Sequence, residues 1–325
     1  MKARPSKQQL EWQRTETGMF VHFGLYTFRE RSAWTTPGDP TVFNPEKLDA
    51  EQWVDVARSM DARYVVLTAK HADGFCLWQT DTTDYGVKSS PWKGGEGDVV
   101  ADVSEACAKA GMKFGVYLSP ADALFGAKVG GRAADPAEQE AYDQVYRRQL
   151  TELLSRYGSV CEVWFDGSCV TEVGDILSEL APDAMVFQSK YGTIRWVGNE
   201  AGYAPYPAWN AVRETDGRTG VATGIHGDPD GEMWLPNEVD TTVRDHYWMW
   251  EKSTEDRLKS LDQLVEVYYR SVGHGAVLLL NSNPDTSGLI PAADVKRAAE
   301  YGAEIRRRFA VPLAEMSGGE YDAVL

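Results

Sequence analysis

Along most of its length the chain alternates short runs rich in β-branched and aromatic residues with amphipathic helical stretches, the pattern of parallel strands joined by crossover helices. The runs predict strands at Met19–Phe23, Tyr64–Thr68, Phe114–Ser119, Glu162–Asp166, Met185–Ser189 and Val277–Asn281. Between them, apolar residues at three- and four-residue spacing predict helices at Ala50–Met60, Val99–Ala110, Glu138–Arg156, Val173–Leu180 and Leu258–Ser271. This order points to an α/β fold, a (β/α)8-like TIM barrel, with two strands hidden in the irregular stretch Trp196–Trp250. A doubly wound open sheet is the alternative, but it normally carries a glycine-rich phosphate loop after its first strand, and His22-Phe23-Gly24-Leu25-Tyr26 is not one. The glycine-rich run Trp92–Asp98 lacks the lysine-serine/threonine ending of a phosphate loop and carries two acids, so it reads as a turn. Residues 1–310 are expected to form the barrel and residues 311–325 a C-terminal tail.

A chain of 325 residues with 43% apolar content has ample material for one large core. Its 33 Lys and Arg stand against 49 Asp and Glu, a net charge of −16 that repels phosphate backbones and anionic lipid. Nucleic acid and membrane surfaces are therefore poor partners, and a neutral substrate fits better. No apolar run approaches the roughly 20 residues that span a bilayer, and the opening Met-Lys-Ala-Arg-Pro-Ser-Lys has no apolar secretion segment, so a cytoplasmic or already processed chain is expected. Cys76, Cys107, Cys161 and Cys169 form no CxxC pair and read as free thiols. No metal and no cofactor is expected.

Chemistry gathers at the expected strand ends, where a barrel places its active site. His22 ends the first strand, His71 follows the second, Tyr117 lies in the third and Asp166 ends the fourth, followed at once by Gly167. On its own Asp166 has two readings, a catalytic acid or the cap of the next helix. The 11 tryptophans and 15 tyrosines, among them Trp34, Trp78, Trp92, Trp196, Trp209 and Trp234 in expected loops, offer flat faces that stack on sugar rings. Glycoside hydrolysis needs a second carboxylate. Glu200, Glu214, Glu232 and Glu238 are the downstream candidates, and Glu200 sits in a loop with glycine and tryptophan.

Several longer motifs narrow this further. They are Gly18–Tyr26 (GMFVHFGLY), Phe43-Asn44-Pro45, Tyr64–Tyr85 (YVVLTAKHADGFCLWQTDTTDY), Phe114–Ser119 (FGVYLS), Val163–Gly167 (VWFDG), Arg195–Glu200 (RWVGNE) and Leu278–Asn281 (LLLN). With these, the chain resembles the glycoside hydrolase family 29 α-L-fucosidases from about residue 10 to about residue 310. The wording around Gly198-Asn199-Glu200 is most similar to the branch that prefers α-1,3- or α-1,4-linked fucose in branched oligosaccharides.

The resemblance implies a retaining, exo-acting hydrolase of terminal α-linked L-fucose, with a neutral fucosylated sugar as its partner. It makes Asp166 the nucleophile and Glu200 the acid/base, their carboxyl groups about 5–5.5 Å apart. It places substrate binding on His22, Trp34, His71, Tyr117, Trp164 and Arg195. Glu238 is expected to line the leaving-group side, or else to pair with Arg244. Two positions depart from the family pattern: Ala72 follows His71 where a second histidine is usual, and Ala33 precedes Trp34 where an acid is usual. Glu30 and Asp73 are candidates to supply the missing bonds. These departures keep two alternatives open, a hydrolase of another fucose-like sugar such as α-L-galactose, and a sugar-binding protein with little turnover. Many members of the family continue into a β-sandwich, which is not expected here.

Overall fold

The computed structural model describes residues 3–29, 35–217 and 226–311. Its main sheet has eight parallel strands: β1 Thr17–Val21, β2 Tyr64–Lys70, β3 Lys113–Leu118, β4 Val160–Trp164, β5 Met185–Phe187, β6 Arg195–Trp196, β7 Asn237–Thr242 and β8 Val277–Asn281. Neighbours in the chain are neighbours in the sheet, and β8 returns to pair with β1, Thr17 opposite Leu278 and Phe20 opposite Asn281. Between β5 and β6 a single parallel bridge, Phe187 with Ile194, nearly closes the ring. This is the expected barrel. The doubly wound alternative is excluded, because it requires a reversal of strand order that is absent from the sheet.

The two hidden strands are β6 and β7. The first has only two residues, and the second reads Asn-Glu-Val-Asp-Thr-Thr, polar in sequence yet buried at every position. Strands β1 and β4 begin and end two residues earlier than expected. After Val21 and Trp164 the chain leaves the ladder, which puts His22 and Asp166 at the starts of loops on the C-terminal face.

Among the described residues, seven helices of seven residues or more accompany the strands: α1 Lys7–Gln13, α2 Ala50–Ser59, α3 Val99–Ala110, α4 Pro136–Arg156, α5 Gly174–Leu180, α6 Leu261–Ser271 and α7 Ala292–Phe309. Their starts are written locally. Ser6 and Ser260 build reciprocal capping boxes with Gln9 and Gln263, while Asp49, Asp98 and Asp135 accept backbone N–H groups at the starts of α2, α3 and α4. The expected turn at Trp92–Asp98 is a short 3-10 turn at Trp92–Gly95 that leads into the Asp98 cap. No helix of the described residues separates β5 from β6. Between β6 and β7 the crossover is replaced by an irregular excursion holding a two-residue antiparallel pairing, Ala211–Val212 with Met233–Trp234. The barrel is thus irregular on this side.

Packing follows the two-layer logic of a barrel. Phe20, Tyr64, Val66, Tyr117, Trp164, Phe187, Val277 and Leu279 fill its interior, and a larger apolar layer lies between strands and helices. Gly18 makes the interior fit: a Cβ there would sit 2.3 Å from the Tyr64 ring. Trp12 of α1 reaches into the same interior group from the N-terminal end. The four cysteines are free thiols, three buried and Cys161 half-buried.

Candidate active site

At the C-terminal mouth of the barrel lies a pocket of about 110 Å³ lined by Phe20, His22, His71, Tyr117, Trp164, Asp166, Glu200, Asp240, Trp248 and Met249. A larger cavity, about 510 Å³, opens at the other end beside Trp12, Tyr64 and Cys161. We place the site at the smaller one, because strand-end polar groups converge there and the opposite face of a barrel serves stability.

Asp166 stands at the head of a turn with the backbone in the left-handed region, φ +71° at Gly167 and +79° at Ser168. Ser168 N–H donates to Gln188 Oε1 at 3.0 Å, and Gln188 and Ser189 are themselves left-handed. Non-glycine residues in this region cost energy that the surrounding fold must offset, and such residues cluster at functional sites. The turn presents the Asp166 carboxylate to solvent, and Tyr117 donates its hydroxyl to Asp166 Oδ2 at 3.0 Å. Burial and the nearby Asp166 charge raise the Tyr117 phenol well above its ordinary value, so it remains a donor. The Tyr117 ring stacks at 5.7 Å on His71 and at 5.7 Å on Trp164, which lies against Phe187.

His22 is buried at the end of β1. Its Nδ1 is 2.9 Å from Asn281 Oδ1, and Asn281 Nδ2 donates to the Trp248 carbonyl at 3.0 Å, which fixes the amide orientation. Burial, with the nearby His71, pushes the His22 imidazole down to about 3. The ring is therefore neutral, with Nδ1–H donating to Asn281 and Nε2 left as an acceptor. Asn283 binds both the His22 N–H and the Trp248 carbonyl, so two asparagines, one ending β8 and one just after it, tie the first strand end to the Trp248 loop.

Glu200 lies half-buried on the loop after β6. Trp248 Nε1 donates to its Oε2 at 2.9 Å, and Thr241 Oγ1 donates to its carbonyl at 2.8 Å. Glu214 and Glu232 lie exposed on the excursion after β6, outside the pocket.

The structure thus brings His22, His71, Tyr117, Trp164, Asp166 and Glu200 together. Trp34, Ala33 and Glu30 lie outside the described residues. Asp73 is buried but does not line the pocket.

Arg195 and Glu238 require correction. Arg195 is fully buried at the start of β6, and its guanidinium donates to the main-chain carbonyls of Leu235 and Trp209, so it braces the excursion and does not enter the pocket. Glu238 neither faces the leaving-group side nor pairs with Arg244, which forms a buried bidentate ion pair with Asp294, its hydrogen bonds 2.7 and 2.9 Å long. Because strand side chains alternate, Glu238 points into the barrel below the pocket. There its Oε1 accepts from Trp164 Nε1 at 2.7 Å, its Oε2 accepts from Tyr64 at 3.2 Å, and it is hydrogen-bonded to the carboxyl of Glu162. Glu162 Oε2 in turn accepts from Trp12 Nε1 at 2.7 Å. Two carboxyl groups in contact without a cation between them must share a proton, and burial raises both above the ordinary glutamate range, Glu162 to about 7.

Asp240 and Trp248 belong to the pocket and were not anticipated. Both fall in the stretch where periodicity fails. The one available signal is the spacing of Glu238 and Asp240, two residues apart and so on one face of β7.

Comparison with known proteins gives the family. Residues 39–307 match the family model described as α-L-fucosidase. α-L-Fucosidase 1 of Arabidopsis thaliana is 39% identical over 91% of this chain, and the chain spans 59% of that relative's length. Among solved structures, a putative α-L-fucosidase from Bacteroides thetaiotaomicron superposes with a TM-score of 0.90 at 33% identity, covering 98% of this chain and 79% of that one. A Ruminococcus gnavus family 29 fucosidase, solved in complex with fucose, has a TM-score of 0.83 at 30% identity, covering 98% of this chain and 71% of that one. With the family model matching most of its length and the barrel shared in full, the chain belongs to glycoside hydrolase family 29, the α-L-fucosidases.

Proposed function

We propose that the protein is a retaining, exo-acting α-L-fucosidase that removes terminal α-linked L-fucose from oligosaccharides or glycoconjugates. One observation carries this reading: Asp166 and Glu200 line the same small aromatic pocket, approached from different strands. The exposed Asp166 carboxylate attacks the anomeric carbon while Glu200 protonates the departing oxygen. The glycosyl ester is then hydrolysed by water that Glu200, now ionised, deprotonates. Neutral His22 accepts a hydrogen bond from a sugar hydroxyl through Nε2, and His71, Tyr117 and Trp164 complete the ring around the sugar. A pocket of about 110 Å³, closed below by Trp164 and Phe20, suits one terminal ring better than the middle of a chain. The Gly198-Asn199-Glu200 wording favours α-1,3- and α-1,4-linked fucose in branched substrates. Ala72 favours a second reading, a fucose-like sugar such as α-L-galactose: it puts a methyl group beside His71, where the family usually has another imidazole.

The test is hydrolysis of 4-nitrophenyl α-L-fucoside, the matching α-L-galactoside and a Lewis-type oligosaccharide, with sugar release read by chromatography. Asp166→Ala should lower turnover by several orders of magnitude. Glu200→Ala should lose far more on the oligosaccharide than on the aryl fucoside and should be partly rescued by azide. Wild-type-like activity of Asp166→Ala would overturn the nucleophile assignment. Equal losses of Glu200→Ala on both substrates, without azide rescue, would overturn that of the acid/base.

A further inference from the structure

The pocket contains a third carboxyl group that the two-carboxylate mechanism does not use. Asp240 lies in β7, is 4% exposed and still lines the pocket with Asp166 and Glu200. Trp196 Nε1 donates to its Oδ1 at 2.5 Å, and no side chain among the described residues donates to Oδ2. Its neighbour Thr241 holds the Glu200 carbonyl, so Asp240 sits on the acid/base side of the site.

We infer that Asp240 is a further substrate-binding group, whose Oδ1 is held by Trp196 while Oδ2–H donates a hydrogen bond to a hydroxyl of the sugar in the pocket. This rests on the fucosidase reading and adds a residue to it. Burial holds the Asp240 carboxyl above the ordinary aspartate range, and the ionisable groups facing it, Glu238 on its own strand and Glu200 on the loop after β6, are acids that add to the shift. This favours the protonated form of the side chain, which has one oxygen for accepting and one O–H for donating. A sugar hydroxyl can accept that hydrogen bond and in turn donate to a neighbour such as His22 Nε2. An ionised carboxylate so close to two other acids would repel the negative charge the nucleophile must carry, whereas a protonated one adds a bond without adding charge.

The experiment compares Asp240→Ala and Asp240→Asn by steady-state kinetics on 4-nitrophenyl α-L-fucoside and by calorimetric binding of free L-fucose, with thermal melts of each variant. Asparagine keeps an acceptor for Trp196 and a donor for the sugar. The expected result is a loss of about ten- to hundredfold in kcat/KM and in fucose affinity for Asp240→Ala, with all but a few-fold recovered by Asp240→Asn at pH 7. Equal losses in both variants would show that the negative charge is what matters and overturn the inference. No loss in Asp240→Ala would overturn it as well. If Asp240→Ala does not fold, Asp240→Leu takes its place. A wild-type protein that neither binds nor cleaves fucosides would instead refute the fucosidase reading itself.

Discussion

At the scale of single residues, the site depends on a few side chains whose protonation is set by what surrounds them. Tyr117 is buried, neutral and aimed at the Asp166 carboxylate at 3.0 Å. Removing its hydroxyl in Tyr117→Phe takes away a donor to a charged group, a bond of about 1.5–3 kcal/mol. The expected outcome is a drop in kcat/KM of roughly ten- to hundredfold on an aryl fucoside with little change in melting temperature. Unchanged kinetics would show that Asp166 needs no such partner. Much of this constellation is legible in the sequence, because His22, His71 and Asp166 fall at recognisable strand ends and motifs surround them. Arg195 and Glu238 mislead because sequence position says nothing about which face of a strand a residue takes unless the strand itself is seen. Strand β6 has two residues and β7 is polar except for Val239, so neither announces its register.

At the scale of elements, the loop after β3 shows how secondary structure is tied to the pocket. Lys70, the last residue of β2, is fully buried and donates to Asp122 Oδ2 at 2.6 Å and to Gln149 of α4 at 2.9 Å. Asp122 Oδ1 accepts the N–H groups of Leu124 and Phe125, and its backbone pairs with Ala127. One ammonium therefore fastens a strand, a helix and a loop beside His71. Lys70→Met leaves Asp122 as an unpaired buried charge and should destabilise the fold by about 3–5 kcal/mol, read by chemical denaturation. A loss under 1 kcal/mol would mean that Asp122 finds another partner. The helices with clear caps and periodicity, α2 to α4, appear in the sequence to within about two residues, and α6 to within three. Helix α1 escapes notice because it has only seven residues, KQQLEWQ, with its apolar residues Leu10 and Trp12 two apart. Strand β7 and the loop after it follow no period, which is why Asp240 and Trp248 stay hidden.

At the scale of the whole molecule, the barrel interior carries a proton-sharing pair where most barrels carry only aliphatic layers. Glu162, raised to about 7 by burial, holds its proton in the folded state above the pH at which it would ionise unfolded. Its contribution to stability is complete below pH about 4.5 and fades as pH rises through about 7. Glu162→Gln keeps the acceptor for Trp12 and supplies an N–H to Glu238 without titrating. The melting temperature of Glu162→Gln minus that of wild type should therefore grow more positive from pH 5 to pH 7.5. A difference that stays flat across this range would show that the pair does not titrate there.

The same pair makes the N-terminal helix part of the pocket's foundation. From Trp12 a line of hydrogen bonds runs through Glu162 and Glu238 to Trp164, on whose ring the pocket rests. No residue of α1 lines the pocket, yet shortening the protein to begin at β1 would strip the Trp12 donor from the buried Glu162 and open the barrel from beneath, at the far end of the hydrogen-bonded line that reaches Trp164. Any splice, fusion or circular permutation of this barrel has to be cut ahead of Ser6, where the cap of that first helix begins.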